Sequence, residues 1–247
     1  MSSKTGMIGE GNVTNTQEVN KQDLELQRSI AASDMYQILS ISLQLPSDDF
    51  VVGLLDGRWG SDVVNIFEEL DIPMDKIEKM KEKMILLKGD ENSKSVLLTE
   101  MRQEYFRLFS HPSNPAIPIY ETMFRYKFEC TGESSPSLFI DPLTLDVERC
   151  YKKARLVTSK QVNEPADHMA TEMEFMMYLY LQKAQGLQQN NQQKLAKIEG
   201  EIKEFSELHL QKWAKEFFNL CISCSQNDVY RTIGEIGSMY MTWMLAE

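Results

Sequence analysis

Along most of this chain apolar residues recur three and four positions apart, the spacing that gathers them on one side of an α-helix. Ile30, Met35, Ile38, Leu39, Ile41 and Leu45 begin the series, and Pro46 ends that element. A short apolar segment from Phe50 to Leu55 closes at Asp56-Gly57. Ser61 is placed to cap a helix that carries Val63, Ile66, Phe67 and Leu70 on one face, and Pro73 suits the first turn of another that runs through Leu87 to a stop at Gly89-Asp90. From about Ser95 to Phe109 the pattern buries Leu97, Leu98, Met101, Tyr105, Leu108 and Phe109, leaving Glu100, Arg102, Glu104 and Arg107 wet.

Residues 110 to 120 hold Pro112, Pro115 and Pro118, so this stretch reads as an extended loop that interrupts the helices. A second irregular stretch, Gly132 to Pro142, precedes a helix with Val147, Cys150, Tyr151 and Ala154 at helical spacing. The segment Met169 to Leu181 is apolar nearly all round, with Met169, Met173, Phe175, Met176, Met177, Leu179 and Tyr180, which marks a central buried helix. The methionines read better as core filling than as the lining of an adaptable peptide groove. Gln188 to Gln193 is a polar turn, either a solvated connection or a hinge through which helices exchange between two copies. Leu195, Ile198, Ile202 and Phe205 trace a further face, and His209 to Cys224 and Val229 to Met244 are the last two helices. With no repeat and no alternating strand series, the expectation is an all-α, single-domain bundle of about nine to eleven helices over residues 25–247, behind a flexible tail at 1–24.

Charge narrows the partners. There are 37 acidic and 26 basic side chains, a formal charge of -11, which disfavours nucleic acid and anionic membranes and favours a neutral or basic ligand. No apolar run approaches the roughly twenty residues of a membrane span, and the first twenty lack a secretory apolar core. Cys130, Cys150, Cys221 and Cys224 are few for the length and suit a reducing cytoplasm. Cys221 and Cys224 have redox-pair spacing, yet on a helix they read as small core hydrophobes. His111, His168 and His209 stand alone, and no phosphate loop, dinucleotide fingerprint or nucleophile elbow is present. The expectation is a protein that is not an enzyme and has no metal or cofactor of its own.

The chemistry concentrates at Glu164-Pro165-Ala166-Asp167-His168, at the mouth of the apolar helix. Pro165 fits a first helical turn, and Asp167 sits where the positive end of the helix dipole favours a carboxylate. This block, with Glu172-Met173-Glu174-Phe175 after it, resembles the Glu-Pro-x-Asp-His signature of the TorD/DmsD family of redox-enzyme maturation chaperones. Tyr105-Phe106-Arg107-Leu108-Phe109 with Pro118-Ile119-Tyr120-Glu121 is similar to that family's helix and proline loop. His209-Leu210-Gln211-Lys212-Trp213 with Tyr230-Arg231 is a third, weaker block, making His209, Trp213, Tyr230 and Arg231 secondary motif positions. Some relatives carry tryptophan where this chain has Tyr105 and Tyr120.

The resemblance implies a cytoplasmic chaperone that binds the twin-arginine signal peptide and the apo form of a molybdoenzyme catalytic subunit, helping cofactor insertion and delaying export. It assigns the peptide site to Tyr105, Leu108, Phe109, Pro118, Tyr120, Glu121, Pro165, Asp167 and His168, in a monomer or a helix-exchanged homodimer. Two guanidinium groups followed by an apolar helix call for carboxylates beside a greasy groove. Asp167 and Glu121 are expected at its rim, with Tyr105, Phe109 and Tyr120 lining it. The rival readings are a general helical protein-interaction module and a protein that handles a nucleotide or molybdopterin precursor.

Overall fold

The structure is a computed structural model that describes residues 11–111, 114–129, 136–137, 139–157 and 164–244, with side chains from Lys21 onward. Cys130, Pro112 and the start of the Gly132 stretch lie outside the described residues. The described residues form eleven α-helices and no sheet: α1 (Gly11–Ser42), α2 (Asp48–Leu55), α3 (Arg58–Glu69), α4 (Met74–Leu86), α5 (Lys94–Tyr105), α6 (Glu121–Glu129), α7 (Pro142–Lys153), α8 (Met169–Gln188), α9 (Gln192–Phe205), α10 (Gln211–Cys224) and α11 (Asp228–Met244). No helix among them is long and apolar enough to cross a membrane.

The long helices α1 and α8 lie along one another at the centre. Small residues allow the approach: Ala31 and Ala32 are buried on α1, and the Ser33 and Ser40 hydroxyls donate to the Met177 and Ala170 carbonyls of α8 at 3.1 and 2.8 Å. On α8, Met169, Met173, Phe175, Met176 and Leu179 are all buried, each stabilising the fold by roughly 1.5–3 kcal/mol. Met169, Met173 and Met176 are therefore core, while Met177 is only half-buried. Around this pair α3 packs on α1 and α4, α9 folds back on α8, and α10 and α11 form a hairpin.

Several boundaries differ from the pattern-based expectation. Helix α1 runs from Gly11 through the boundary drawn at residue 24. Near its start Gln22 donates to the Leu187 carbonyl at 2.8 Å and to the Asn190 side chain, fastening it to the α8–α9 turn. Ser61 is not a cap: α3 begins at Arg58 after Gly57, whose φ of 83° only glycine adopts cheaply, and the Ser61 hydroxyl donates to the Gly57 carbonyl. Helix α6, unmarked by the apolar pattern, is short; Asp167, distant in sequence, caps it and Phe124 packs it against Trp213 and Phe217. Two π-turns, Phe106–Ser110 and Ser206–Leu210, continue α5 and α9. The second fuses the helix expected at His209 to the one before it.

Glu104, expected in water, is buried beside Arg107. Arg107 donates from Nε and Nη2 to the two Glu104 oxygens at 2.7 and 2.8 Å, and Glu104 also accepts from the Ser225 hydroxyl and the Gln226 N–H. Arg107 in turn donates to the Cys224 carbonyl at 2.7 Å. This clamp fixes the turn between α10 and α11 against the end of α5. Cys221 is buried, its thiol pushed up by desolvation, and reads as a core side chain.

The α10–α11 hairpin depends on Gly234 and Gly237. A β-carbon at Gly234 would lie 2.8 Å from backbone atoms of Phe218 and Ile222, and one at Gly237 would lie 2.2 Å from the Phe218 ring. Gly234→Ala is therefore expected to destabilise the protein by about 1–3 kcal/mol in chemical denaturation. Gly200→Ala on the open face of α9, with nothing within 4 Å, should stabilise it by about 0.5–1 kcal/mol.

Candidate functional site

Two irregular segments meet in antiparallel fashion at a single bridge, Tyr120 opposite His168, and each then turns into a helix. The Glu121 N–H donates to the Asp167 carbonyl and the Met169 N–H to the Ile119 carbonyl, both at 2.9 Å. The first turn of a helix leaves N–H groups without partners, and each segment caps the start of the other's neighbourhood. Asp167 Oδ2 accepts from the Thr122 N–H at 2.9 Å, so the carboxylate expected to cap its own helix caps α6 instead. His168 takes the N-cap position of α8, its Nδ1 accepting from the Ala170 N–H at 3.1 Å. That role needs a neutral ring with the proton on Nε2, and burial pulls the imidazole down to about 4.

Beneath the bridge lies a cluster of buried charge. Glu121 is fully buried, with Oε1 receiving Arg125 at 3.1 Å and Oε2 2.8 Å from Nδ1 of His209. Burial alone would hold His209 down, but its hydrogen bonds with Cys150 and Glu121, and their charge, raise it to about 9. Its Nε2 stands 3.4 Å from Asp146. Glu172 is also fully buried and accepts from the Trp213 indole N–H at 3.1 Å. Desolvation first, then the charges of Glu121 and Asp167, push Glu172 well above the usual carboxylate range. Asp167 is raised too, by desolvation against its Thr122 hydrogen bonds. The Thr122 and Thr144 hydroxyls pair at 3.0 Å, and Tyr151 donates to the Ala166 carbonyl at 2.9 Å.

The expected site residues therefore divide. Pro118, Tyr120, Glu121, Pro165, Asp167 and His168 come together around the bridge, with His209 and Trp213 supporting them from below. Asp167 and Glu121, expected on an exposed rim, are 0 % exposed and already engaged, so they hold structure and present nothing to solvent. Leu108 and Phe109 face the core: Phe109 stacks on Phe217 at 5.7 Å and meets Tyr230 edge-on at 5.9 Å. Arg231 lies apart, bonded to Asp228 and the Ser225 carbonyl.

What reaches the surface is Glu164, beside Tyr105 and Tyr120. Desolvation, then the Glu164 charge, raises the Tyr105 phenol to about 12 and Tyr120 further. Tyr120 is half-buried and edge-on to His168 at 5.3 Å. Next to them opens a groove of about 340 Å³ whose walls are Leu156, Val157, Pro165, Phe175, Met177 and Tyr178, with Glu164 and Glu174 at its edges. Among the described residues neither carboxylate has a lysine or arginine in ion-pair range. The peptide site expected from the resemblance included neither, although Glu164 opens the signature block. Glu174 could have been found as the charged, outward position on an otherwise apolar helix. No group of three or more His, Cys, Asp or Glu among the described residues is arranged to hold a metal.

The model of the nitrate reductase delta subunit family matches residues 68–219, most of the chain and all of this site. The chain belongs to that family. This is the TorD-like chaperone group to which the Glu164–His168 block pointed, and the protein's role is that of a redox-enzyme maturation chaperone. The matched span takes in His209 and Trp213 and stops before Tyr230 and Arg231. Among solved structures the chain is similar to a protein from Archaeoglobus fulgidus, itself provisionally described as a redox enzyme maturation protein. Identity is 16 % over 85 % of this chain and 93 % of that one, with a TM-score of 0.45. No curated protein matches.

The two histidines give this family member opposite pH limbs. His209 is raised, so its contribution is complete below about 6.5 and is lost as pH climbs toward about 9, where the folded ring deprotonates. His168 is lowered, so its contribution is complete above about 6.5 and is lost as pH falls toward about 4. Asp167 and Glu172, both raised, add a loss on rising pH that persists in any histidine variant. Urea denaturation from pH 5 to 9 should therefore show His209→Gln flattening the alkaline limb by up to about 3 kcal/mol. His168→Asn, which keeps a capping oxygen, should flatten the acid limb alone. Limbs unchanged in both variants would refute the assignment.

Proposed function

We propose that this chaperone acts in the cytoplasm on the catalytic subunit of a molybdenum-cofactor oxidoreductase, binding its twin-arginine leader and apo form, assisting cofactor insertion and delaying export. The observation that carries the reading is the exposed Glu164 carboxylate, close enough to the Tyr105 and Tyr120 phenols to raise both, in the wall of an apolar groove that also includes Glu174. A guanidinium can bond the carboxylate and lie against an aromatic face at the same place. The apolar part of the leader then enters between Leu156, Phe175 and Tyr178.

The peptide site is thus the outer surface of the bridge, and Asp167 and Glu121 act from inside by fixing its shape. Each charge-assisted hydrogen bond contributes about 1.5–3 kcal/mol, and ordering the peptide offsets several kcal/mol, which gives micromolar affinity. Such binding lets the leader go when the client is ready.

Calorimetry with an arginine-pair leader peptide and its lysine-pair variant tests the reading. The wild type should prefer arginine, and Glu164→Gln and Glu174→Gln should each weaken binding about tenfold while melting as the wild type does. Asp167→Ala, which uncaps α6, should lower stability by about 1–2 kcal/mol. A Glu164→Gln/Glu174→Gln double variant that binds as tightly as the wild type would sink the proposal.

A further inference from the structure

The apolar surface beside Glu164 does not end at Tyr178. Glu174, Tyr178 and Leu181 stand four and three residues apart on one side of α8, so Leu181 continues the wall that Met177 and Tyr178 begin. Leu181 is 43 % exposed while Leu179 beside it is fully buried, so it faces away from the core. The register with α1 follows from the serine hydrogen bonds, Ser40 to Ala170 and Ser33 to Met177: seven residues forward on α8 match seven back on α1. Leu181 is therefore beside Ile30, about one turn before Ser33, and Ile30 is 38 % exposed. Leu26, half-buried, lies one turn further along the same side of α1. The opposite side of the two helices belongs to a different groove, walled by Arg28, Ala32, Tyr180, Lys183 and Trp243.

Charge changes along this strip. Glu164 and Glu174 mark the groove end, and Asp34 stands near them on α1, facing Asp62 of α3. Beyond, the polar positions that border the apolar residues are Gln27, Gln182 and Gln185, all uncharged. At the far end Asp23 and Lys194 carry one charge of each sign, Lys194 donating to Gln185 at 3.4 Å. From Glu174 to Gln185 the axis of α8 rises about 16 Å, the length of about three turns of helix. A surface that is anionic at one end, then apolar and uncharged, complements a segment that is cationic at one end and then apolar.

We infer that the seam between α1 and α8 prolongs the groove at Glu164 and takes the apolar segment of the leader as a helix, a reading that rests on the leader site proposed above. Leu26, Ile30 and Leu181 then act as specificity residues, and the site selects leaders whose apolar segment is long enough to reach them. Covering these side chains removes apolar area from water and calls on no backbone hydrogen bond of the chaperone, as a helix laid in a groove requires. A second copy of the chain is the poorer occupant, because its acidic surface meets Glu174 and Asp34 with like charge.

Two labelled peptides provide the test, one with the arginine pair and an apolar helical segment of about sixteen residues, the other cut after about six. By fluorescence anisotropy the wild type should bind the longer about tenfold tighter than the shorter. Ile30→Gln/Leu181→Gln should abolish that gain while leaving the affinity for the shorter peptide and the circular dichroism melt unchanged. Equal binding of the two peptides by the wild type would overturn the inference, as would a gain that survives in the double variant. Equal loss of both peptides in the double variant would overturn it too, since the seam would then act on the groove or the fold. A wild-type dimer that the double variant dissociates, with the gain intact, would overturn it in favour of a second copy as occupant. The shorter peptide separates the two failures: where it binds and the gain is absent, the seam alone falls, and where neither peptide binds, the leader reading falls and takes the seam with it.

Discussion

One hydrogen-bonded crossing organises this molecule: the bridge between Tyr120 and His168, where α6 and α8 both begin. Two helix starts in one place concentrate unpaired N–H donors and the positive ends of two dipoles. Buried donors must find acceptors, and Asp167 and His168 provide them. The positive potential also draws Glu121 and Glu172 inward, where His209, Arg125 and Trp213 satisfy them in part. A signature that looks like a ligand-binding motif is thus first a folding device. On the proposed reading, its recognition surface is what the device leaves outside, chiefly Glu164.

How far this could be read from the sequence follows from which forces are local. Helices α4, α8 and α11 announce themselves because each buries a stripe, a broad one in α8, and periodicity records burial directly. Helix α6 leaves no such record: Phe124 is buried, but the helix is held by Asp167, some 45 residues away. The same distance explains the inverted roles of the site carboxylates. Asp167 reads locally as a cap for the helix after it, and only the tertiary crossing turns it toward α6. Glu104 fails similarly, since its partners Ser225 and Gln226 lie in another part of the chain. The third motif block, the weakest by sequence, proves the best connected, because His209 and Trp213 meet the buried carboxylates of the other two.

The distribution of charge fits a protein that holds an unfinished partner. An acidic surface keeps the chaperone dispersed, and specificity then needs only local departures from it. At Glu164 the departure is aromatic and apolar beside a carboxylate.

The bridge also dictates how a peptide cannot be held. Pro118 and Pro165 contribute no N–H, and the ladder passes into helix at Glu121 and Met169, so it ends after one pair on both sides. Among the described residues an incoming chain finds no sheet edge to join, and β-augmentation at the bridge is closed to it. On the proposed reading affinity comes from side chains rather than main-chain pairing, and so it will respond to the identity of individual leader residues more than to the leader's propensity for extended structure.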